Sequence, residues 1–185
     1  MTAPYVLLVI DLQQAIDDPR WAVAGPRNNP DAEAVVARLL AHWRAKGWPV
    51  IHVRHDSPHP GSPYRVGAPG HAFKAQARPL PGEPVVAKRV NTAFIGTDLE
   101  KRLRYLGGRV AVCGVLTDNS VEATARAAGD LGLETVVIED ACFAYAVRDR
   151  LGLLHDADTV HALTLARLDG EYARVMTSDQ VVSSV

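Results

Sequence analysis

Three polar residues at the ends of apolar runs are where this chain could do chemistry. Asp11 closes the run Tyr5-Val6-Leu7-Leu8-Val9-Ile10, and Lys88 closes Val85-Val86-Ala87. Ser120 follows Val110-Ala111-Val112-Cys113 by way of Gly114 and a short polar turn. A carboxylate can accept and return a proton, an ammonium can hold that carboxylate in place, and a hydroxyl can attack a carbonyl carbon. A strand that turns sharply into a helix also aims backbone N–H groups at whatever lies above it, a good place for an oxyanion. Each residue has an ordinary reading too: Asp11 as a helix cap, Lys88 as a chain snorkelling to the surface, Ser120 as a capping residue. Burying an ammonium is costly without an anionic partner, which makes Asp11 a candidate partner for Lys88.

The elements that must position these residues alternate along the chain. Segments of strand length fall at 5–10, 49–54, 85–87, 110–113, 135–138 and 173–176, and the apolar run at 5–10 is the kind buried on both faces of a parallel sheet. Helical spacing follows Asn29-Pro30, where Asn29 is the expected N-cap and Pro30 the first helical residue, and ends at Gly47. A second helix opens on the capping box Thr97-Asp98-Leu99-Glu100, and a third opens at Thr117 and closes at Leu131-Gly132. The last spans Asp158 to Leu168, with Val160, Leu163, Leu165 and Leu168 as its apolar positions. Such alternation predicts an α/β fold with a mostly parallel sheet and ligand binding past the carboxyl ends of its strands, where all three residues fall.

Composition narrows the field. With 185 residues, 48% hydrophobic and 22% charged, the chain is expected to be one globular domain over 1–185. A net charge of −1 with no basic block argues against nucleic acid or an anionic membrane as the main partner. No apolar run is long enough to span a bilayer and no signal peptide is evident, so a cytoplasmic protein with two reduced thiols, Cys113 and Cys142, is expected. His52, His55, His59 and His71 punctuate the long irregular stretch 55–82 and its edge, but their spacing fits no closed zinc motif. Neither a metal nor another cofactor is expected.

In order and spacing, LLVIDLQ at 7–13, AKRVNTAFIGTDLE at 87–100, CGVLTDNSVEATARAAGDLG at 113–132 and VVIEDACFA at 136–144 resemble the isochorismatase-like, or cysteine hydrolase, superfamily over nearly the whole chain. The resemblance implies a three-layer α/β/α sandwich, and homodimers or homotetramers. It implies hydrolysis of a small molecule by a trio of Asp, Lys and Cys, matched here by Asp11, Lys88 and, at the Cys position, Ser120. It implies a cis peptide in the turn Gly114-Val115-Leu116, with the N–H groups of Leu116 and Ser120 forming an oxyanion hole. Gln13, Trp21 and Phe94, with the His-rich loop, are expected to wall the substrate pocket. The Asp-x-His metal pattern of the nicotinamidase branch lacks its leading Asp, since the stretch reads His52-Val53-Arg54-His55.

The departure at Ser120 is the most consequential. A thiol near an ammonium and a helix start has its pKa lowered from about 8.5 by several units, whereas an alcohol needs a base acting in concert. Three readings stay open. The serine replaces a natural cysteine; or it is native and Asp11 protonates a vinyl ether that water then attacks; or it is a slow nucleophile at a site that mainly binds. Amide C–N hydrolysis is the leading expectation.

Overall fold

The computed structural model describes residues 3–184. Strand β1 (Val6–Ile10) is wholly buried, as its uninterrupted aliphatic sequence demands. The chain then passes through short 3₁₀ turns into helix α1 (Ala32–Lys46), which ends at left-handed Gly47 (φ 64°) as expected. Strand β2 (Val50–His55) follows, then a long loop, β3 (Val85–Lys88), α2 (Leu99–Tyr105) and β4 (Arg109–Val115). After a wide turn come α3 (Glu122–Asp130), β5 (Glu134–Phe143), a small antiparallel hairpin of β6 (Val147–Arg148) and β7 (Leu154–His155), α4 (Ala157–Leu168), β8 (Arg174–Met176) and α5 (Ser178–Ser183).

The central sheet has six strands in the order β3-β2-β1-β4-β5-β8, and every neighbouring pair is parallel. Helix α1 packs beside α5 over β1, β2, β4 and β5, while α2 packs against β4, α3 and α4 against β5, α4 also against β8, and α3 against α4. The result is the three-layer α/β/α sandwich. From β1 the chain first winds outward through β2 and β3, then returns to build β4, β5 and β8 on the other side. The winding reverses between β1 and β4, and a crevice opens past the ends of those two strands.

At that reversal the backbone of β4 turns one residue against β1. Ile10 pairs with Gly114, whose φ is 118°, and a Cβ there would stand 2.1 Å from the carbonyl oxygen of Ile10. Only glycine fits.

Three local expectations are corrected. Asn29 does not cap α1, which starts at Ala32 after Asp31. Instead Asn29 takes a positive φ of 43° and its amide donates to the carbonyls of Glu139 and Cys142, anchoring the loop to β5. Thr97 and Glu100 form no capping box, because the Thr97 hydroxyl donates to Ala93 O at 2.6 Å and α2 begins two residues later. Leu163 on α4 is 63% exposed rather than buried. The third helix opens at Thr117, but its first turn, Thr117–Val121, is π rather than α and leads directly into α3.

Candidate active site

The register of the sheet brings the three sequence-singled residues together. Asp11 is the first residue past β1, and its N–H donates to Val53 O at 3.0 Å, extending the ladder with β2. Its backbone is left-handed (φ 51°), which swings the carboxylate over the sheet end. Lys88 lies two strands away on β3, and its long side chain crosses the end of β2 to reach Asp11, with Nζ 2.7 Å from Oδ2. The lysine side chain is fully buried and all three of its N–H donors are used: Asp11 Oδ2, Val90 O at 3.0 Å and Ser120 Oγ at 3.1 Å. A buried charge is tolerated only when so satisfied.

Ser120 comes from the opposite side of the crevice, in the π turn after β4. Asn119 N–H and Val121 N–H both donate to Leu116 O at 3.1 Å, the latter spanning five residues and widening the turn. The Val115–Leu116 peptide is cis, the arrangement that the resemblance implies. Among the described residues, no backbone or side-chain acceptor takes the Leu116 N–H. Thr117 does not cap the helix either, for its hydroxyl is bonded to His161 Nδ1 at 2.8 Å.

The electrostatics of the trio are set by burial. Burial pushes the Asp11 carboxyl above its ordinary pKa, and the Lys88 ammonium and Ser120 hydroxyl pull it back without cancelling the rise. Asp11 Oδ1 is buried and has no hydrogen-bond partner. It is the one open acceptor of the cluster, and a carboxylate made more basic by its surroundings is suited to move a proton.

A cavity of about 200 Å³ lies over the trio, lined by Asp11, Trp21, His55, Tyr64, Leu116 and Ser120 among others. Trp21 is among its lining residues. Gln13 and Phe94 are not among its lining residues and are corrected. Gln13 is fully buried behind the wall: its amide donates to His55 O (3.2 Å) and His71 O (2.8 Å) and accepts from His55 N–H (2.7 Å). Its position beside Asp11 in sequence put it near the pocket, but strand-end geometry turns it to clamp the His-rich loop. Phe94 packs half-buried against the core, and Asn91 from the same segment faces the cavity instead.

His55 and Tyr64 line the cavity from the His-rich stretch, while Asn91 and Asn119 are lining residues that sequence reasoning did not assign to the pocket. His55 had a usable signal, since it ends β2 beside Asp11 and pairs with Lys88 in the ladder. Burial and the Lys88 ammonium push its pKa down to about 4, so it is neutral at physiological pH, and its Nδ1 is buried without a partner. The Tyr64 ring stands edge-on to His55 at 5.6 Å and to Trp21 at 6.3 Å. Among the other histidines, His52 is bonded to Glu83 and His71 to Asp56. No group of three or more His, Cys, Asp or Glu side chains placed to hold a metal occurs among the described residues. Cys113 and Cys142 are free and buried, and burial pushes the first thiol far up and the second to about 12. Neither can supply a thiolate to the crevice. Among the described residues no helix is long and apolar enough to cross a membrane.

The site is thus a buried carboxylate–ammonium pair and a cis-peptide turn at the switch point of a parallel α/β sheet. The isochorismatase domain matches this chain over residues 5–180, so the chain belongs to the isochorismatase family. It is 38% identical over 178 residues to the isochorismatase family protein YrdC of Bacillus subtilis, covering 96% of this chain and 94% of that one. It is 35% identical over 179 residues to streptothricin hydrolase of Streptomyces noursei, covering 90% of this chain and 67% of that one. Among solved structures, an isochorismatase-family protein from Chromobacterium violaceum superposes with a TM-score of 0.93 at 53% identity, over 98% of this chain and 93% of that one.

Proposed function

We propose that this isochorismatase-family protein hydrolyses a C–N bond of a small amide, with Asp11, Lys88 and Ser120 as the reacting cluster. The observation that carries the reading is the open, buried Oδ1 of Asp11, whose other oxygen is held by the same Lys88 ammonium that donates to Ser120 Oγ beside a small cavity. Lys88 donates to Ser120 Oγ, which leaves the hydroxyl proton free for Asp11 Oδ1. Oγ attacks the amide carbon while Oδ1 takes that proton, and the oxyanion meets the N–H groups of Leu116 and Ser120. As the C–N bond breaks, Asp11 gives the proton to the departing amine. Water, losing a proton to Asp11, then cleaves the ester, and Oγ regains its proton. The similarity to streptothricin hydrolase supports a hydrolytic role. The proposal includes a cytoplasmic setting and a homodimer or homotetramer, which sedimentation velocity would read.

A second reading is favoured by two observations. The ammonium that donates to Oγ draws charge from it, and the raised Asp11 pKa suits an acid as well as a base. In that reading Asp11 protonates a vinyl ether and water attacks with no covalent step. The test is a panel of small amides, carbamoyl compounds and isochorismate, run with the protein, Ser120→Ala and Ser120→Cys, with mass spectrometry for adducts. Amide turnover that falls at least 100-fold in Ser120→Ala, with an acyl adduct in Ser120→Cys, supports the first reading. Turnover that survives Ser120→Ala without an adduct supports the second. Ligand binding without turnover in every form leaves a binding protein and overturns both.

A further inference from the structure

The catalytic cavity does not open directly to solvent on every side. It adjoins a shallower depression of about 470 Å³ and shares His55, His59 and Asn91 with it. The outer depression is further lined by Arg89 and Thr92, and no Asp or Glu lines it. Among the described residues Arg89 has no salt bridge and no hydrogen bond, unlike Arg27, Arg44, Arg54 and Arg109, each of which is held by a carboxylate. The one carboxylate lining the inner cavity, Asp11, is bound to Lys88. The neighbouring Asp56 is bound to Arg54 and His71. Lys88 and Arg89 are consecutive, so the strand end points one cation into the floor and leaves the next at the rim.

We infer that the outer depression is a carboxylate subsite, and that the substrates of this protein are small amides bearing an anionic group that Arg89 receives. The inference rests on the proposed amide hydrolysis for the scissile group, and on the geometry of the rim for the anion. A guanidinium with no partner offers two parallel N–H donors that match a carboxylate. The flanking Asn91 amide and Thr92 hydroxyl add uncharged hydrogen-bonding groups. The inner cavity of about 200 Å³ admits only a compact amide end, so the remainder of any larger substrate must lie in the outer depression. A rim of one sign also draws an anionic substrate toward the crevice.

Two measurements test this with defined probes. Calorimetric titration with succinate reads the subsite without turnover. Binding to the protein is expected, weakened about tenfold in Arg89→Gln, less so in Arg89→Lys, and unchanged in Arg65→Gln, which lies on a separate depression. Added salt should weaken binding to the protein and leave little further effect in Arg89→Gln. The kinetic arm compares succinamate with succinamide, which differ by one carboxylate, and their kcat/KM ratio should fall about tenfold in Arg89→Gln. Failure of succinate to bind, or equal binding in Arg89→Gln, overturns the inference. Succinate binding that depends on Arg89, with neither amide turned over by the protein or Ser120→Cys, keeps the subsite and overturns amide hydrolysis.

Discussion

Two carboxylates in this molecule sit against cations at the ends of strands, and they are used in opposite ways. Glu83 is saturated. Arg44 donates to both of its oxygens at 2.7 and 2.9 Å, and His52 Nε2 and Leu80 N–H each reach Oε2 at 2.8 Å. Burial pushes its pKa up, but these donors bring it down to about 2. Asp11 has one cation on one oxygen and nothing on the other, and burial keeps its pKa raised. A carboxylate with both oxygens occupied fastens a loop. One with a buried oxygen left open is held ready for a proton.

The largest effect expected from this contrast is at Asp11. Asp11→Asn keeps the shape and a carbonyl oxygen for Lys88 but removes the proton carrier. Activity on a confirmed substrate should fall about 10³-fold while the fold persists by circular dichroism. Full activity in this variant would erase the distinction between the two carboxylates.

Lys88→Met comes next. It should lower kcat about 100-fold by releasing Ser120 and Asp11 together. It also sharpens the comparison through pH. The ammonium lowers the Asp11 pKa, so without it the carboxyl rises further and the acid limb of the kcat/KM profile moves to higher pH. A limb that does not move would mean that Asp11 does not govern the profile.

Glu83→Gln is the smallest effect and falls on stability alone. It should cost about 2 kcal/mol at neutral pH, read as a drop of roughly 4–8 °C in melting temperature, with activity within about twofold of the parent. Because the Glu83 pKa is depressed from 4.5 to about 2, its stabilisation is complete above about pH 4.5 and is lost as pH falls toward 2. The gap between parent and variant should close over that range. Asp11 has the opposite sign: with its pKa raised, its linked contribution is full below 3.8 and is lost as pH rises through the folded value.

Strands β1 and β4 were legible because a strand covered on both faces writes itself as a nearly unbroken apolar run, and Asp11 and Lys88 because they close such runs, whereas β3 alternates between exposed and buried residues. What was illegible depended on distant backbone. Gln13 is spent on carbonyls and an N–H at positions 55 and 71, and nothing local to it names those partners. Asn29 likewise left its helix for carbonyls on β5. Two copies of one short pattern show the limit well. Thr97 to Glu100 gave no capping box because Ala93 O claimed the threonine, whereas Thr177 to Gln180 formed one and opened α5, a helix that sequence reasoning passed over. The pattern is permissive, and the nearest competing acceptor decides.

The contact at Gly114 bears on how such a protein can change. With no room for even a methyl group between β4 and Ile10, the strands that carry the two halves of the crevice are locked in step. Neither half can be re-aimed without undoing the sheet, so selection for new substrates has little to work on there. The material free to change is the long segment between β2 and β3, which supplies His59 and Tyr64 to the cavity and answers to no ladder over most of its length. Libraries meant to retarget this enzyme scaffold belong in residues 57–82, and relatives with different tastes should diverge there first.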